Sequence, residues 1–61
     1  MITLTKLNKQ QFILNADLIE TIEESPDTTI RLTSGKMYIV LESVGEVVEK
    51  SMKYYRQIYS R

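Results

Sequence analysis

"ESPDTTIRLTSGKMYIVLES", residues 24–43, holds two turn signals, two strand-like runs and the opening of a helix. Ser25-Pro26-Asp27 is the first turn, with Pro26 pre-set for its first corner. Thr28 to Thr33 then alternates, with Thr28, Ile30 and Leu32 on one face and Thr29, Arg31 and Thr33 on the other. Ser34-Gly35 is the second turn, where Gly35 permits a positive φ. Met37 to Leu41 is the return strand. Its unbroken apolar run predicts that both of its faces are covered.

The helix start follows directly. Ser43-Val44-Gly45-Glu46 has the spacing of a capping box, with Ser43 at the N-cap and Glu46 three positions on. Beyond it Val44, Val47, Val48, Ser51, Met52, Tyr55, Ile58 and Tyr59 recur on one side at helical spacing, which predicts a helix over about 44–59. Glu46–Lys50 and Glu49–Lys53 are i,i+4 pairs in the favoured order. Tyr54 falls at the edge of the apolar stripe and finds no place in the core on this reading.

Upstream, Ile2 to Leu7 reads as a strand, Asn8-Lys9 as a turn, and Gln11 to Leu14 as the return strand with Phe12 and Leu14 on one face. Leu18 to Glu24 fits a helical turn or a strand; the β-branched Ile19, Thr21 and Ile22 favour the strand. The fold class is therefore α+β: one domain over 1–61, a small antiparallel sheet of four to five strands within residues 2–41, and one C-terminal amphipathic helix packed on it.

Composition sets further bounds. The 61 residues are 43% apolar and 26% charged, which is globular rather than disordered. A chain this short buries a thin core and usually needs a staple. No cysteine or histidine is available for a disulfide or for the commonest metal sites. Association with another chain is the staple that remains. Met37 to Leu41, with Ile13, Ile19 and Tyr54, carries more apolar surface than one helix covers, so a homo-oligomer is expected. A sheet curled into a small barrel is the alternative.

Eight basic and eight acidic residues give a formal net charge of zero, which counts against nucleic acid as the main ligand. The charges are segregated. Residues 17–27 hold Asp17, Glu20, Glu23, Glu24 and Asp27 without a base, and residues 50–61 hold Lys50, Lys53, Arg56 and Arg61 without an acid. Such runs are more often solvated faces than sites; the sharper reading is docking on charged partners. Candidate partner contacts are Glu20, Glu23 and Asp27 in the acidic run, and Tyr54, Arg56, Tyr59 and Arg61 in the basic one. Ser43, Glu46, Gly35 and Pro26 are candidate structural residues. Lys53-Tyr54-Tyr55-Arg56 interleaves bases with aromatics and so raises a second possibility, a small nucleic-acid-binding regulator.

Chemistry finds little to stand on. Ser25, Ser34 and Ser43 have no histidine to serve as base. Ser34-Gly35-Lys36 ends like a phosphate loop but lacks the upstream glycine and joins two strands. No catalytic residue, cofactor or metal site is assigned. No apolar run reaches bilayer length and "MITLTKLNKQ" lacks a signal-peptide core, so the cytoplasm is the expected compartment.

From Leu7 onward the chain resembles the small flagellar proteins of the FlbD/SwrD family. The resemblance runs through Leu7-Asn8, Phe12, Leu14-Asn15, Asp17-Leu18-Ile19-Glu20, Ile22-Glu23 and Pro26-Asp27-Thr28. It continues through Ile30-Arg31-Leu32-Thr33-Ser34-Gly35-Lys36, Tyr38-Ile39-Val40, Glu42-Ser43 and Val47-Val48. Members commonly carry Asn-Gly where this chain has Asn8-Lys9, and Asn-Pro where it has Asn15-Ala16. The terminal "KYYRQIYSR" lies outside the pattern. The resemblance implies a non-enzymatic accessory protein of bacterial flagellar motility, located in the cytoplasm at the periphery of the motor. In the SwrD branch it implies support of swarming by raised motor power, through the MotA/MotB stator.

Overall fold

The computed structural model describes residues 1–59, and side chains as far as Gln57. Five strands precede the helix: β1 (Ile2–Thr5), β2 (Gln11–Leu14), β3 (Ile19–Glu24), β4 (Thr28–Leu32) and β5 (Met37–Val40), then α1 (Val44–Tyr59). The stretch at 18–24 is a strand, as favoured: β3 begins at Ile19 and is entered from a 3₁₀ turn over Ala16–Leu18. Asn15 starts that turn by accepting the Asp17 N–H on its side-chain oxygen at 3.0 Å.

The strands form two antiparallel sheets, β1-β2 and β3-β4-β5. The expected single sheet is thus divided. The two ladders meet at an antiparallel bridge between Lys6 and Val40, beside which the Leu41 N–H donates to the Thr5 carbonyl at 2.8 Å. A bulge lies between Ile19 and Thr21 on β3, the free edge strand of the larger sheet.

Two of the hairpin turns are built alike. In the β4–β5 turn the Gly35 N–H donates to the Leu32 carbonyl and the Leu32 N–H to the Lys36 carbonyl; Gly35 has φ 94°. In the β1–β2 turn the Lys9 N–H donates to the Lys6 carbonyl and the Lys6 N–H to the Gln10 carbonyl; Lys9 has φ 72°. Both are three-residue loops that need a left-handed residue in third place. The Asn8 side chain braces the second by accepting the Gln10 N–H. This turn ends β1 at Thr5 and leaves Leu7 exposed, so the first strand is shorter than the alternation predicts. In the β3–β4 turn the Ser25–Pro26 peptide is cis, where a first-corner proline is ordinarily trans.

The core lies where the two ladders and the helix converge. Ile2 and Leu4 come from β1, Leu14 from β2, Ile30 and Leu32 from β4, Val40 from β5 and Val47 from α1, with Ala16 beneath. Leu4, Ile30, Val40 and Val47 are sealed from solvent. The helix packs on β1 and on β3, closing the gap between the two ladders.

The apolar run of β5 is covered on one face only. Val40 is buried and Tyr38 half-buried, whereas Met37 is 55% and Ile39 45% exposed. Within one chain, therefore, the expected cover reaches one face only. Alternation along the strand sends Met37, Ile39 and Leu41 outward, and the one helix is already spent on the inner face.

Candidate protein-interaction surfaces

The helix start has the expected geometry. The Ser43 Oγ accepts the Glu46 N–H at 3.2 Å, and the Glu46 carboxylate accepts the Ser43 N–H at 3.2 Å. Glu24 supplies a third contact, accepting the Val44 N–H at 3.1 Å from the end of β3. Three of the donors that a helix N-terminus leaves free are therefore used. Glu46 is engaged at the cap, and among the described residues the ion pair on the helix surface is Lys53–Glu49 at 3.8 Å.

The segment before the cap carries a contact that sequence reasoning missed. Glu42 accepts the Thr5 N–H at 2.9 Å and the Thr5 hydroxyl at 2.8 Å, across 37 positions of chain. Partial burial pushes the Glu42 carboxyl pKa up. The two Thr5 hydrogen bonds, its own backbone N–H and the Lys50 charge outweigh this, so the net shift is downward. The pair ties the end of β1 to the start of α1.

The candidate contact residues are scattered rather than assembled. Glu20, Glu23 and Asp27 are exposed on β3 and its following turn, and Arg56 is exposed on α1. The Tyr59 side chain and Arg61 lie outside the described residues. For Tyr54 the structure corrects the reading that it finds no place in the core: it is half-buried and packs against the core cluster, with its ring 5.5 Å from that of Tyr55 in an edge-on arrangement. The inward face of the helix is turned toward the Val47–Tyr54 line, seven residues apart and so nearly eclipsed. That rotation carries Val48 and Met52, both expected in the core, out to 41% and 54% exposure.

Two apolar surfaces result. The first is an open groove of about 210 Å³ between α1 and β3, floored by Ala16, Ile19 and Ile22 and walled by Val48, Ser51, Met52 and Tyr55. The second is the outer row of β5, where Met37 and Ile39 share a hollow with Lys6, Leu7 and Asn8 of the β1–β2 turn. Behind this row the Phe12 and Tyr38 rings pack 5.0 Å apart, and the Lys6 ammonium lies 5.5 Å from the Phe12 ring centre.

Among the described residues no group of three or more acidic, histidine or cysteine side chains is placed to hold a metal ion, and no helix is long and apolar enough to cross a membrane. No curated protein and no solved structure matches the chain. A family match does exist, to the flagellar and swarming motility proteins, and it covers residues 1–59 of the 61. With nearly its whole length inside that match, five strands and closing helix included, the chain belongs to the FlbD family of flagellar and swarming motility proteins.

Proposed function

We propose that this chain is a non-enzymatic, cytoplasmic accessory protein that supports swarming by raising flagellar motor power through contact with the MotA/MotB stator. The observation that carries the reading is the family match over residues 1–59. The exposed apolar surfaces at the α1–β3 groove and the β5 outer row support a protein that acts by docking, and they also support a homo-oligomeric working form. The basic aromatic stretch gives a nucleic-acid regulator less to work with, because Tyr54 packs on the core instead of standing free to stack on a base.

Deleting the gene from a swarming strain tests this. Swarming and the torque of tethered cells should fall while filament number stays normal. Complementation with the wild-type chain should restore both. Loss of filaments would instead place the protein in flagellar assembly or expression and overturn the stator reading.

A further inference from the structure

β2 has a partner on one side only. It pairs with β1, and among the described residues no strand pairs with its other edge. The direction of its backbone groups follows from the turn. The Lys6 N–H donates to the Gln10 carbonyl, and bonded pairs alternate with non-bonded ones along an antiparallel ladder. Leu4–Phe12 and Ile2–Leu14 are therefore the bonded pairs, while the backbone groups of Thr5–Gln11 and Thr3–Ile13 face apart. Thr5 agrees: its N–H donates to Glu42 and its carbonyl accepts the Leu41 N–H, both away from β2. Gln11 and Ile13 thus turn their N–H and C=O groups to the open edge, where they meet no hydrogen-bond partner among the described residues.

An open strand edge is a template for another strand, and proteins usually blunt it with charge, proline or a bulge. The free edge of β3 is blunted in this way, by its bulge and by the exposed Glu20 and Glu23. The edge of β2 is not. Gln11–Leu14 has no charge, no proline and an unbroken register. Ile13, 69% exposed, is the most exposed large apolar side chain among the described residues. Charge appears only beyond the strand's ends, at Lys9 before it and Asp17 after it, each four residues from Ile13. Both are exposed, and neither is in an ion pair among the described residues.

We propose that a second copy of this chain adds to this edge, β2 running antiparallel to β2 across a two-fold axis at Ile13. This rests on the homo-oligomer reading and gives it a surface, a register and a symmetry. Ile13 then exchanges both of its backbone bonds with Ile13 of the second copy. Gln11 faces Asn15, whose backbone is still extended at φ −78° and ψ 109°. Antiparallel pairing sets the start of one strand beside the end of the other. Lys9 of each copy therefore comes beside Asp17 of its mate, and opposite charges close both ends. Pairing β3 with itself would instead set its run of carboxylates against a second such run. The β2 contact is isologous, so it closes at two copies. The two hairpins join into one four-stranded sheet, and a two-stranded ladder is marginal by itself. A four-residue edge makes a small interface, and interfaces below about 1,200 Å² in total are the weak, reversible ones. Monomer and dimer therefore exchange at micromolar concentration.

Sedimentation equilibrium and amide hydrogen exchange over one range of concentrations test the arrangement. The mass should rise from the 7.1 kDa of one chain toward twice that and stop there. Over the same range, exchange at Ile13 should slow at least tenfold, because its N–H is open in the monomer and bonded in the dimer. Phe12, bonded to β1 in both, should change less. Ile13→Lys sets two ammonium groups on the axis and should weaken association at least tenfold. The site is exposed, so the melt of this variant at low concentration should match the wild type. Lys9→Glu sets a carboxylate against Asp17 of the mate and should weaken association, and adding Asp17→Lys to it should restore the dimer. A mass fixed at 7.1 kDa would overturn both the edge pairing and the homo-oligomer. An oligomer that ignores Ile13→Lys, with exchange at Ile13 the same at every concentration, would overturn the edge pairing and leave the homo-oligomer standing on another surface. A mass that climbs past two chains would overturn the two-fold closure.

Discussion

Lys9 and Gly35 hold the same position in two turns with the same hydrogen bonds, and only one of them is a glycine. Both have positive φ, 72° and 94°. A side chain there costs about 1–2 kcal/mol, and glycine gives part of that back as unfolded-state entropy. Lys9→Gly should therefore raise stability by about 0.5–1 kcal/mol. Gly35→Ala should lower it by about 1 kcal/mol through the backbone alone, since an added Cβ meets nothing within 4 Å. Thermal melts of the two variants should move in opposite directions; a shared direction would mean the two turns are not equivalent.

The Thr5–Glu42 pair predicts an acid sensitivity. A carboxyl whose folded pKa lies below its unfolded value stabilises the fold while it is ionised. For Glu42 that contribution is complete above the ordinary value near 4.5 and is lost as pH falls through the lower, folded value. Glu42→Gln removes the charge and should flatten this part of the stability–pH curve. Near neutral pH it should cost about 1 kcal/mol, below the range usual for charged hydrogen bonds because the site is part-exposed. Chemical denaturation of both proteins between pH 3 and 7 reads the difference directly, on the scale of about 1.4 kcal/mol per pH unit for one proton.

Ser43→Ala deletes the acceptor for the Glu46 N–H and should cost about 1 kcal/mol. For a domain of this size that lowers the melting temperature by about 4–8 °C. Glu24 still accepts the Val44 N–H, so the helix should persist by circular dichroism below the transition.

Val47 and Val48 are neighbours with different surroundings. Val47 is sealed in the core and Val48 is exposed at the groove. Val47→Ala should destabilise by about 1–3 kcal/mol through lost burial and a cavity. Val48→Ala should stay within about 0.5 kcal/mol. Urea midpoints for the two variants would separate a helix facing inward along Val47–Tyr54 from one centred on the Val44–Val48–Tyr55 stripe.

The sequence carries the fold well where the signal is local. The alternation of Thr28, Ile30 and Leu32 marks β4, and Ser43 with Glu46 marks the first turn of α1, because each pattern is complete within a few residues. The helix rotation was not legible. An apolar stripe fixes which side of a helix is greasy, and the sheet's shape decides which edge of that stripe is pressed inward, here the edge that holds Tyr54. The Thr5–Glu42 bond was hidden for a related reason: nothing near Glu42 names a partner 37 residues away. The exposed apolar surfaces were half legible. The surplus of apolar residues on β5 signalled an uncovered face, while the groove depends on how far α1 stands from β3.

The seam between the two ladders, at Lys6 and Val40, has a dynamic consequence. A two-stranded hairpin held by so short a seam would ordinarily fray alone, and its amide protons would exchange with solvent long before the rest. Here Ile2, Leu4 and Leu14 supply three of the eight buried core side chains among the described residues. Swinging the hairpin away would strip the inner surface from Ile30, Val40 and Val47 at the same moment. Side-chain packing, together with the Thr5–Glu42 pair, should therefore couple the N-terminal hairpin to the remainder, so that its ladder-bonded amide protons exchange at the same rate as those of β4.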